Sequence, residues 1–77
     1  MTMYNLIRTT PEGAERSQGP FAKKSDAARA AGRVLSDNVR TPQAEAQRFS
    51  SALSRKDLGT EWAHTGSGYR FRIEKAA

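Results

Sequence analysis

Period-two alternation dominates the last fifth of the chain. In Thr60 to Lys75, Tyr69, Phe71 and Ile73 alternate with Arg70, Arg72 and Glu74. Trp62 and His64 alternate with Glu61 and Ala63 ahead of them. This is the pattern of two half-buried strands. A two-residue turn at Gly66-Ser67, with Gly at the first position of a type II′ turn, sets Trp62 opposite Phe71, His64 opposite Tyr69 and Glu61 opposite Arg72. Slipping the turn to Ser67-Gly68 sets Glu61 against Glu74 and loses the Trp–Phe pair, so the first register is preferred. Both registers keep Trp62, His64, Tyr69, Phe71 and Ile73 on one face.

Helical spacing appears twice in the middle of the chain. Ala27, Ala31, Val34 and Leu35 form one stripe, which predicts a helix from Asp26 to Ser36 with Ser25 as N-cap and Asp37-Asn38 as its end. Thr41-Pro42 is a start signal, an N-cap followed by Pro at the first helical position. The helix it opens carries Ala46, Phe49, Ala52 and Leu53 as its stripe and runs to about Arg55. Met3 to Thr9 reads as a strand with apolar residues on both faces, either Tyr4 and Leu6 or Met3 and Ile7 pointing inward. Thr10 to Pro20 reads as loop, with breaks at Pro11-Glu12-Gly13 and Gly19-Pro20; a brief pairing of Ala14 to Ser17 back on the first strand is the alternative, not adopted. Phe21 is expected to plug one end of the core.

The order is thus β-α-α-β-β: a single α+β domain spanning residues 1–77, with a three-stranded antiparallel sheet and both helices on one face. Its expected core is Trp62, Tyr69, Phe71 and Ile73 against Phe49, Leu53, Val34 and Leu35. Composition makes that core thin. Of 77 residues, 12 are Ala and only 11 are Leu, Ile, Val or Phe, so a homodimer or another partner is an attractive source of further burial.

Chemistry is sparse. There is no Cys, hence no disulfide or thiolate metal site. The single His64 faces inward beside Tyr69 and is expected to hydrogen-bond a neighbour. The eight carboxylates are scattered, with no spacing suited to a metal or to paired acid–base work. Gly66-Ser67-Gly68 lacks the helix and Lys of a phosphate loop. The expectation is no enzyme, no metal and no cofactor. No apolar run is long enough to cross a membrane, and the N-terminus is too short and polar for a signal peptide. A cytoplasmic protein is expected.

Charge alters this picture. The net charge is +5, with nine Arg and four Lys, which favours a nucleic acid or an acidic protein surface. Asp26, Arg29, Arg33 and Asp37 follow one another at helical spacing and read as a self-neutralised ladder. Arg70 and Arg72 project from the hairpin face opposite the core. Arg72 is expected to be partly neutralised by Glu61, and Arg70, opposite Ala63, is expected to have no acidic partner. Arg8 joins them if Tyr4 and Leu6 face outward. With Lys23 and Lys24 in the loop before the first helix, these are the expected partner-binding residues. Gln43, Gln47, Arg48 and Ser51 lie off the apolar stripe of the second helix, and their types suit the reading of base edges.

Two helices joined by a short turn and followed by a hairpin with a Gly-rich tip resemble, over residues 26–74, the central part of a winged helix-turn-helix. That resemblance implies DNA binding, with Pro42 to Arg55 in the major groove and Thr65 to Gly68 with Arg70 as the wing. The chain departs from the pattern in having no first helix and no Gly in the inter-helix turn. In size and style it also resembles phage and mobile-element accessory proteins such as anti-CRISPR inhibitors. That resemblance implies a non-enzymatic binding module that occludes a host nucleoprotein complex, in the host cytoplasm if phage-encoded.

Overall fold

The first and last strands pair with each other, and that pairing fixes which face of each looks inward. In the computed structural model, which describes residues 2–76, the elements are β1 (Met3–Thr9), β2 (Glu15–Phe21), α1 (Lys24–Val39), α2 (Gln43–Ser54), β3 (Trp62–Ala63) and β4 (Arg70–Ala76). The sheet is antiparallel throughout, in the order β2-β1-β4-β3. Leu6 stands opposite Ile73, Arg8 opposite Phe71 and Ile7 opposite Arg72. Directly opposed residues share a face. Leu6, Phe71 and Ile73 therefore look toward the helices, and Ile7, Arg70 and Arg72 look away. This resolves the ambiguity of β1 in favour of Tyr4 and Leu6 inward.

The expected three-stranded sheet is corrected to four strands, and β-α-α-β-β to β-β-α-α-β-β. The added strand, β2, is Glu-Arg-Ser-Gln-Gly-Pro-Phe, exposed at every residue but Phe21. Such a strand carries no apolar alternation, because it is held by backbone pairing at a sheet edge rather than by burial. Its turn is well tied. Thr10 N–H donates to Ala14 O at 2.8 Å, and Ala14 N–H donates to Thr10 Oγ1 at 3.1 Å. The Gly19-Pro20 break falls where the register shifts opposite Asn5, and Pro, having no N–H, is tolerated at such an irregularity on an edge.

The β3–β4 register is the expected one, Trp62 opposite Phe71 and Ala63 opposite Arg70. The turn is wider than two residues. His64 N–H donates to Tyr69 O at 2.8 Å and Gly68 N–H donates to His64 O at 2.9 Å, leaving Thr65 to Gly68 as a four-residue loop. The position that needs positive φ is therefore Gly68, at 80°, and not Gly66.

Both helices occupy one side of the sheet. α1 begins before Ser25, with Lys23 in the N-cap position, and runs past Asn38 because Val39 still packs on the core. It stops at Arg40, whose left-handed φ of 56° turns its N–H onto Leu35 O. α2 starts one residue late: Pro42 itself caps, its carbonyl accepting from Ala46 N–H at 3.0 Å. Ala27, Ala31, Val34 and Leu35 of α1 and Ala46, Phe49 and Leu53 of α2 meet Leu6, Phe71 and Ile73 in one cluster. Phe71 and Leu6 are fully buried, whereas Trp62, Tyr69 and Phe21 pack half-buried at its margin. The helices approach closely where Gly32 faces Ser50; a Cβ on Gly32 would stand 2.7 Å from Ser50 Oγ.

Candidate functional site

The open sheet face, expected to be a basic platform, is internally paired. Arg72 Nη1 and Nη2 donate to the two Glu15 carboxylate oxygens at 3.2 and 3.3 Å, and Arg72 Nε donates to Glu74 Oε2 at 2.6 Å. The hydrogen bonds it donates to Glu74 and then to Glu15 hold the Arg72 guanidinium above its ordinary pKa. Glu61 pairs with Arg70 at 3.6 Å and not with Arg72. The two expectations about these arginines are thus reversed: Arg70 is the partner of Glu61, and Arg72 belongs to Glu15 and Glu74. The reason is β2, which brings Glu15 beside β1 at Thr9, within diagonal reach of Arg72.

Arg8 does not join Arg70 and Arg72. Since Leu6 faces the core, Arg8 lies on the helix side of the sheet, opposite Arg16 of β2. Lys23 is exposed at the start of α1, and Lys24 is turned inward, its ammonium donating to the carbonyl of Lys56. The five expected partner-binding residues are therefore dispersed over three places.

The net charge has a different location. Residues 23–56 hold eight of the thirteen Lys and Arg and three of the eight Asp and Glu, a balance of +5, while the remaining Lys and Arg equal the remaining Asp and Glu. The helical layer therefore carries the whole excess. The expected ladder on α1 neutralises little of it. Asp26 approaches Arg29 at 3.9 Å with both side chains exposed. Among the described residues Arg33, Arg48 and Arg55 make no ion pair.

The geometry of this layer follows from helical spacing. Ala44, Arg48, Ser51 and Arg55 recur at i, i+4, i+7 and i+11 on the solvent side of α2, with Gln47 beside them. Arg29 and Arg33 of α1 face Gln43, Gln47 and Ser51 of α2 across a groove where Gly32 and Ala46 are buried. Gln43, Gln47, Arg48 and Ser51, singled out from the sequence, are all exposed and are brought together here. Arg29 and Arg33, read from the sequence as a self-neutralised ladder, line this groove, and Arg55, not singled out there, lies on the same side of α2 as Arg48. The same 3.6-residue spacing that placed the glutamines could have found Arg55.

His64 is held as expected, by neighbours. Its Nδ1 lies 2.8 Å from Ser67 Oγ and its Nε2 2.9 Å from Glu45 Oε2, and its ring meets Phe49 edge-on at 5.6 Å. The Ser–His–Glu chain has the outline of a catalytic relay. However, the N–H groups of Ser67 and Gly68 beside it are both directed at His64 O, so they are not free to stabilise an oxyanion. The arrangement clasps the hairpin tip to the first turn of α2. Among the described residues no cluster of His, Asp and Glu is suited to a metal ion, and no helix is long and apolar enough to cross a membrane. Comparison with family models, curated proteins and solved structures returns no match.

Proposed function

We propose that the protein is a non-enzymatic binding module that covers an extended polyanion, a nucleic acid, with its helical layer. The observation that carries this reading is the segregation of charge: the excess of +5 falls within residues 23–56, and the arginines of the sheet face are paired. Arg29, Arg33, Arg48 and Arg55 supply contacts to phosphate, which fix position without reading sequence. Gln43, Gln47 and Ser51 supply neutral donors and acceptors between them. Ala44 keeps the solvent side of α2 low enough for close approach.

Such a module works by occlusion, since what it covers is denied to other proteins. A phage-type inhibitor of a host nucleoprotein complex, the role implied by resemblance to anti-CRISPR proteins, uses the same surface against nucleic acid held in that complex. The helix-in-groove mode of a small DNA-binding protein uses α2 in the same orientation.

The test is titration of the pure protein against labelled duplex and single-stranded DNA and RNA at low and moderate salt. The expected result is binding that weakens steeply as salt rises, with the affinity falling linearly on logarithmic axes. Absence of binding at low salt to every one of these would remove the proposal.

A further inference from the structure

On the other side of α2 lies a second groove, between that helix and β3. Its walls include Arg48, Phe49 and Ala52 from α2 and Trp62, Thr65 and Gly66 from the hairpin. Trp62 is half-buried. Phe49 supports it at 6.3 Å between ring centroids, near-parallel at 30°, and the Lys56 ammonium lies 4.0 Å from its ring centroid. The groove thus combines a partly exposed indole, backed by Phe49, with one cation in its wall, Arg48, while a second, Lys56, lies outside the lining and against the same indole. Its acidic member, Glu45, is engaged with His64.

We infer that this groove is a stacking site for one unpaired nucleobase, so that the nucleic acid bound by the helical layer is single-stranded at this point. This rests on the polyanion reading of the helical layer and adds the class of nucleic acid to it. An aromatic platform flanked by cations is the recurring solution for single strands, because every base has a π-face and every linkage a phosphate. A base in a duplex is already stacked on both sides and cannot enter. Lys56, held on the ring by a cation–π contact alone, is displaced toward the adjoining phosphate when the base arrives. Thr65 and the backbone of Gly66 supply polar groups at the rim.

Trp62 is the sole tryptophan, so the unaltered protein carries its own reporter. The experiment follows Trp62 emission and, in parallel, the anisotropy of a labelled probe, with an oligo-deoxythymidine strand, a mixed-sequence duplex and poly-glutamate as ligands. The expected result is quenching by the single strand and none by the duplex or poly-glutamate. Trp62→Leu, checked for folding by circular dichroism, should weaken single-strand binding roughly 5- to 150-fold, the equivalent of one lost stacking contact, without changing duplex affinity. Single-strand binding seen by anisotropy with unchanged Trp62 emission would overturn the stacking site and leave the polyanion reading standing. Equal quenching by poly-glutamate would likewise overturn it. Failure of all nucleic acids to bind would remove both.

Discussion

Arg72 of β4 reaches diagonally over β1 to grip Glu15 of β2, with two nitrogen–oxygen distances of 3.2 and 3.3 Å. The contact joins two strands that are not neighbours in the sheet. It also explains why Ile7, directly opposite Arg72 on the helix-free face, is only 8% exposed. The arginine stem shields apolar surface while its head satisfies two carboxylates. Replacing Arg72 by Met keeps the stem and removes the charge, and should cost about 1 kcal/mol, the upper end for a surface pair. Arg72→Ala also uncovers Ile7 and should cost about 2 kcal/mol. Urea denaturation of the two variants checks the order. The pKa of Arg72 is raised on folding, so its contribution is fully present below the ordinary guanidinium value. It is lost only as pH rises through the raised one. Across neutral pH the arginine's own share of the stability should therefore stay constant.

Phe71 is the centre of the core. It is fully buried, meets Phe49 edge-on at 5.4 Å and stacks on Tyr69 at 6.1 Å. Phe71→Ala should cost about 3–5 kcal/mol, a large share of what a chain of this size commands. The expected outcome is loss of the cooperative transition in thermal denaturation followed by circular dichroism. Leu6→Ala, also at a fully buried position, should cost about 2–5 kcal/mol.

How much of this was legible depended on burial. β4 announces itself, since Phe71 and Ile73 must point inward and Arg70, Arg72 and Glu74 must not. α1 and α2 announce themselves through Ala27, Ala31, Val34 and Leu35 and through Ala46, Phe49 and Leu53. β2 does not, because Glu15 to Pro20 bury no side chain, and the strand is held by backbone pairing and by the Arg72–Glu15 contact. That one omission propagated. Without β2 there is no Glu15 beside β1, Arg72 is assigned to Glu61, and the sheet face reads as a cationic platform. The excess charge was countable from the sequence. Its confinement to residues 23–56 was countable too; that the sheet-face arginines are paired, leaving the helical layer as the free cationic surface, needed the structure.

Gly32 and Ser50 set the spacing of the helices. Ser50 Oγ donates to Ala28 O at 2.5 Å, and the space a Cβ on Gly32 needs is taken by that hydroxyl, with Ala46 O a further 3.3 Å contact. Alanine is the better helix former by about 1 kcal/mol, but here it forces the serine off its acceptor. Gly32→Ala should therefore destabilise by about 1 kcal/mol net. In a Ser50→Ala background the hydroxyl is gone, and the same change should be close to neutral. A double-mutant cycle measured in urea should show a coupling of about 1 kcal/mol; strict additivity would mean that the helices are not in contact at this point.

The arginines of α2 are the strongest handle on function. Arg48 and Arg55 lie on its solvent side, and among the described residues neither has an acidic partner. Replacing both by Gln preserves the helix and removes two cations. If each meets a phosphate, the slope of log affinity against log salt should fall by about 0.7–0.9 per contact, hence by roughly 1.5 for the pair. Arg70→Gln is the matched control. It removes one cation from the sheet face, where Glu61 already engages it at 3.6 Å, and should leave the slope unchanged. Anisotropy titrations of a labelled oligonucleotide across a salt series measure both. A slope that responds to Arg70 and ignores Arg48 and Arg55 would move the binding surface to the other side of the molecule.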